Sequence, residues 1–100
     1  MYIIYMYITI NILIAVALDD RKLLQLAKKI GPSWFELASL LGLAEDDVNE
    51  VKGNEGSTYQ GAFKVMWIWR DRTLDEGIDQ KQVLTEALKA ASMSDVADLL

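Results

Sequence analysis

The side chains best equipped for chemistry in this 100-residue chain are carboxylates, and they crowd into Glu45-Asp46-Asp47 with Glu50 one turn later. Two carboxylates can share acid and base work when they face a common pocket from separated sites. These four instead follow one another along a single stretch, with no predicted pocket. A metal site built from Asp46, Asp47 and Glu50 would be a weak oxygen site, and its spacing does not match a calcium loop. The chain has neither His nor Cys. The usual zinc sites and the Ser–His or Cys–His nucleophile pairs are therefore excluded within it. Without Cys there is no disulfide framework either, so a reducing compartment is acceptable but not required. The reading is non-enzymatic: no catalytic residue, no cofactor and no metal are expected. A net charge of −5 argues against nucleic acid, which needs a concentrated basic surface, and against a helix-turn-helix DNA binder.

The element that must organise such a chain is Tyr59–Arg72, YQGAFKVMWIWRDR. Ala62, Val65, Met66 and Trp69 recur at the three- and four-residue spacing of one helical face. Val65 through Trp67 sweep an apolar arc of about 200° at 100° per residue, well beyond the stripe a core-facing helix needs. Tyr59, Phe63 and Trp67 lie along the edge of that arc as an exposed apolar strip, and Ile68 is expected outside it. One hundred residues make at most one small domain.

Short helices with legible stop signals surround this element. Arg21–Ile30 places Leu23, Leu24, Ala27 and Ile30 inward and stops at Gly31-Pro32. Ser33 with Glu36 forms a capping box for a helix whose stripe is Trp34, Leu37, Ala38 and Leu41, closed by Gly42. A third helix spans about Glu45 to Lys52, with Val48 and Val51 inward and an acidic first turn suited to the helix dipole. Ala44, at its cap position, cannot accept a backbone hydrogen bond, a loss of about 1 kcal/mol. Gly53-Asn54-Glu55-Gly56 reads as a loop. Ser57 with Gln60 opens the central helix, and Thr73–Ile78 follows as a connector. Asp79 with Gln82 caps a fifth helix carrying Leu84, Ala87, Leu88 and Ala91. Ser92 with Asp95 starts a sixth, with Val96, Ala97, Leu99 and Leu100 as candidates for burial. Six short helices and four capping boxes form a consistent local code, with no internal repeat and no low-complexity linker.

Met1–Leu18 differs from the rest: 16 of its 18 residues are apolar and none is charged. As a helix it would span roughly 27 Å, slightly short of a ~30 Å hydrocarbon layer, and no basic cluster flanks it. A signal peptide would need a basic n-region and a small-residue cleavage site. Its β-branched and aromatic content favours a strand, but nothing else in the chain would pair with one. The fourth reading is an apolar extension, helical or extended, that packs on a domain formed by 19–100, with a membrane anchor kept open beside it. Left exposed, it would be an aggregation hazard.

Three stretches then carry a resemblance to a known family: LLQLAKKIGPSWFELASLLGLAEDDV, WIWRDRT and VLTEALKAASMSDVADLL. In this order and spacing they resemble the death-domain family over about Asp19 to Leu100. The closing ALKAASMSDVADLL is similar to the death domain of the Fas-associated adaptor, while ankyrin and netrin-receptor death domains share the general pattern. The Arg-x-Asp-Leu motif of the death-effector family is absent. Caspase-recruitment modules do not usually pair tryptophans at these two places. The resemblance implies an all-α, antiparallel six-helix bundle of Greek-key topology. It also implies a cytoplasmic module that binds other death-domain proteins, or itself, in adaptor-type signalling assemblies such as those of apoptosis. Membrane contact would come only through residues 1–18, as in a receptor tail anchored by that segment.

Carried over by position, the resemblance implies an acidic partner-binding face of Glu36, Glu45, Asp46, Asp47 and Glu50. A complementary basic face would comprise Lys22, Lys28, Lys29, Lys64, Arg70 and Arg72. The bland alternative for each residue is a solvated face. Two departures stand out: the Ala44 cap, and Gly61 inside the central helix, which lowers helix stability by roughly 1 kcal/mol relative to Ala. The apolar strip calls for a cover, either the Met1–Leu18 extension as a lid or swapped segment, or an aromatic hot spot for a partner.

Overall fold

In the computed structural model, which describes residues 18–56 and 58–100, the described residues form six helices and no strand. They are α1 (Asp20–Ile30), α2 (Phe35–Leu40), α3 (Glu45–Glu55), α4 (Tyr59–Thr73), α5 (Gln80–Ala90) and α6 (Ser94–Ala97). The all-helical fold expected from the sequence is present.

α1 begins where the Asp19 carboxylate accepts the Lys22 backbone N–H at 2.8 Å, and ends at Gly31, whose φ of 64° only glycine adopts freely. Its buried face is Leu23, Leu26, Ala27 and Ile30. Leu24, expected inside, is 38% exposed. It lies about 100° off a face centred on the i, i+3, i+4, i+7 set that starts at Leu23.

α2 starts one residue later than expected. The Trp34 carbonyl accepts the first intrahelical bond, from the Ala38 N–H at 3.0 Å, so Trp34 and not Ser33 is the cap, and no side chain caps this end. The stripe of Trp34, Leu37, Ala38 and Leu41 is buried as expected.

α3 has the uncapped Ala44 start but runs on through Gly53 and Asn54, which the sequence assigns to a loop. Its stop is Gly56, with φ 63°. The last turn is held from outside: the Thr58 hydroxyl donates to the Glu55 carbonyl at 2.9 Å and the Trp34 Nε1–H to the Gly56 carbonyl at 3.3 Å. These partners satisfy carbonyls that a helix end otherwise leaves unpaired, so tertiary contact overrides local turn preference.

The cap position of α4 is Thr58, whose side chain is turned to α3 instead of capping. The capping box expected at Ser57 rests on a residue outside those described. Asp79 caps α5 by accepting the Gln82 N–H at 3.1 Å, while the Gln82 side chain reaches Glu86 and leaves the box half made. Ser92 does not start α6; it ends α5, with φ 61°, and Met93 occupies the cap position.

α1 and α4 form the most extensive helix pair, and they run antiparallel. Asp20 at the start of α1 meets Arg70 late in α4, and Lys28 near the end of α1 lies over Tyr59 at the start of α4. α3 flanks α4, α5 packs on α2 and α6, and α6 closes back on α1. Neighbours in space are thus mostly distant in sequence, as a Greek-key bundle requires. Trp34 and Trp69 are 0% and 3% exposed and belong to a single core cluster among the described residues, together with Leu18 from the end of the apolar segment.

Candidate functional site

The acidic residues sit where their helices expose them. Glu36 projects from the first turn of α2. Glu45, Asp46 and Asp47 occupy the first turn of α3, with Glu50 on the next. Among the described residues no group of three or more carboxylates is gathered to hold a metal ion. Asp47 is the one member already engaged, since its carboxylate accepts both Arg72 guanidinium N–H donors, at 2.5 and 2.9 Å. That hydrogen bond is the main reason the Asp47 carboxyl stays charged below the usual carboxylate range, and it raises the Arg72 guanidinium in turn.

The basic residues divide into three groups. Lys28 and Lys29 are exposed on the last turn of α1, and Lys64 is exposed on α4 with its ammonium 4.7 Å from the Trp67 ring centroid. Lys22 is half-buried and donates to the Leu99 carbonyl at 2.9 Å, tying α1 to the C-terminal end. Arg70 and Arg72 are engaged in intramolecular pairs, Arg70 largely covered and Arg72 exposed. Only 13% of the Arg70 side chain is exposed, and it pairs with Asp20 at 2.8 Å and Asp71 at 3.5 Å while donating to the Leu18 carbonyl at 2.9 Å.

The expected apolar strip is graded rather than uniform. Tyr59 is 38% exposed, whereas Phe63 and Trp67 are half-buried. Phe63 packs partly on the core, and so does Ile68, expected outside it. The Met1–Leu18 lid lies outside the described residues, except for Leu18 itself. Among the described residues no helix is long and apolar enough to cross a membrane.

Three features of this surface escape sequence reasoning. The Arg70 contact with Leu18 and Asp20 joins residues about fifty positions apart, and only the antiparallel α1–α4 pairing brings them together. The Asp47–Arg72 pair joins two residues assigned to opposite faces. Gly61 is the third: a Cβ there would stand within 2.9 Å of Nε1, Cε2 and Cζ2 of Trp34. A helical glycine downstream of a lone inward tryptophan was the available signal for this close approach.

A six-helix bundle bearing exposed charge of both signs on its helices has the outline of an interaction module. The family model of the death domain matches residues 20–100, and the chain belongs to that family. Death domains are protein–protein interaction modules, not enzymes, and typically bind other death-domain proteins. No solved structure matches the chain significantly.

Proposed function

We propose that the chain acts by homotypic death-domain association, assembling signalling complexes in an adaptor role, as the likeness of its last two helices to the Fas-associated adaptor suggests. The observation that carries this reading is the separation of charge across α4. Exposed carboxylates gather on α2 and α3. Exposed Lys28 and Lys29 lie on α1, the helix on the other side of α4, while Lys64 of α4 lies nearer the α3 carboxylates. A surface bearing opposite charges on two different faces cannot satisfy both in an isologous dimer, but it does so head to tail, forming rings or filaments.

The acidic face is Glu36, Glu45, Asp46, Asp47 and Glu50. The basic face is led by Lys28, Lys29 and Lys64. Lys22, Arg70 and Arg72 shape that face while holding intramolecular contacts of their own. An apoptotic, cytoplasmic setting belongs to the same proposal.

Sedimentation velocity on the chain, at rising concentration and in low and high salt, tests it. Assembly that grows with concentration and recedes as salt screens the charges is expected. A salt-insensitive monomer at every concentration would remove charge-driven assembly.

A further inference from the structure

The antiparallel pairing of α1 and α4 puts the start of α1 and the last turns of α4 at one end of the bundle. Leu18 is fixed there. It is 2% exposed and part of the core, and its carbonyl accepts an Arg70 guanidinium N–H at 2.9 Å. Arg70 is itself largely covered and paired with Asp20.

Apolar side chains flank this anchor. At 100° per residue, Trp67, Arg70 and Leu74 fall within about 60° of one another around α4 and span roughly 10 Å along it. The helical backbone persists to Leu74, with φ −55° and ψ −40°. Trp67 is half-buried one turn before Arg70, and Leu74 is 42% exposed one turn after it. The connector to α5 adds a third side chain. Gln80 donates to the Arg70 carbonyl and to the Thr73 hydroxyl, both at 2.8 Å, which folds the connector back on the end of α4. Ile78, two residues before Gln80, is 39% exposed. Two large aliphatic side chains thus face water where an uncharged segment, 1–17, joins the bundle.

We infer that the Trp67–Leu74–Ile78 face is the seat of the chain's own residues 1–17, packed within the same molecule. Reach is no obstacle. Seventeen residues extend to about 56 Å as an open chain and to about 25 Å as a helix. Attachment at Leu18 holds the segment at an effective concentration on the order of millimolar, an advantage that no partner in solution shares. Covering Leu74 and Ile78 takes apolar surface out of water. A segment without charge brings no unpaired ion to Arg70, which keeps its Asp20 partner. The seat takes in the Trp67 end of the strip expected to need a cover and leaves out Tyr59, three turns from Arg70. It is independent of the homotypic reading, because it holds whether or not copies associate.

The chain has no Cys, so Asn11→Cys in the full chain carries a single nitroxide label within the segment. In an isotopically labelled sample, diluted with unlabelled parent chain, the nitroxide should cause its largest loss of signal at the Trp67 indole N–H and the Leu74 and Ile78 amides. High salt should leave that loss unchanged, since no charge is involved. Adding Leu74→Gln/Ile78→Gln to the labelled chain should restore those signals, with circular dichroism confirming unchanged helicity. Attachment at Leu18 alone would bring the label close in both chains, so a loss that persists in the Gln variant overturns the inference. Loss spread evenly over the bundle, or centred on α2 and α3, overturns it too. Loss seen instead when nitroxide-bearing unlabelled chain is mixed with labelled parent chain assigns the segment to a second copy. Flotation of the chain with phosphatidylcholine vesicles assigns it to lipid. Either result contradicts packing within one molecule.

Discussion

Gly61 shows how a single residue can be misjudged by propensity alone. A glycine inside a helix is ordinarily worth replacing, since alanine gains about 0.5–1 kcal/mol. At Gly61 the space a methyl would need is filled by the Trp34 indole, itself fully buried and hydrogen-bonded to the Gly56 carbonyl. The ring cannot retreat without disturbing the core, so Gly61→Ala is expected to destabilise by about 1–3 kcal/mol. Gly53, also helical but with open space around it, should respond in the opposite sense, with Gly53→Ala stabilising by about 0.5–1 kcal/mol. Urea midpoints of the two variants settle the contrast. The Asp47–Arg72 pair carries a pH signature at the same scale. The folded-state pKa of Asp47 is lowered from 3.8, mainly by the Arg72 hydrogen bond. Its contribution is therefore present above about pH 3.8 and lost as pH falls through the lower folded value. Unfolding curves of the parent chain and Asp47→Asn should converge as the pH is taken below that range, and diverge above it.

Among the helices, the termini are where optimisation is visible. Ala44 holds extended backbone at the start of α3, with φ −67° and ψ 151°, and offers no acceptor. Ala44→Ser places one there and should stabilise by about 1 kcal/mol, whereas Asp79→Ala, which removes a working cap from α5, should cost about the same. Thermal melts of both variants check the pair. Burial periodicity was readable in the sequence because it repeats: Trp34, Leu37, Ala38 and Leu41 are all buried, as are Ala62, Val65, Met66 and Trp69. Caps were less readable, because a Ser followed three residues later by an acid or amide occurs at Ser33 and Ser92 without capping anything. At Ser33 the burial of the adjacent indole set the helix start. At Ser92 the residue served to end the preceding helix. Glycine-rich Gly53–Gly56 misled for a related reason, since the stop is fixed by which glycine takes positive φ, and that is Gly56 alone.

At the scale of the whole molecule, family and fold agree, and what remains to be measured is how copies meet. The charged residues carried over from the family resemblance were legible as types and positions. Their states were not, because Arg70 and Arg72 are drawn into contacts set by the packing of α1 and α3 on α4. Leu18 adds a geometric constraint: its burial and its carbonyl bond to Arg70 fix it near the C-terminal end of α4, about three turns from Tyr59.

The most direct measurement is a backbone amide NMR titration, in which the isotopically labelled chain is concentrated, or mixed with unlabelled chain, in low salt and again in high salt. The account predicts shifts in two separate patches, one on α1 and the exposed side of α4, the other on α2 and α3, both fading as salt rises. A single patch shared by both partners, or shifts confined to residues 1–17 and indifferent to salt, would contradict it.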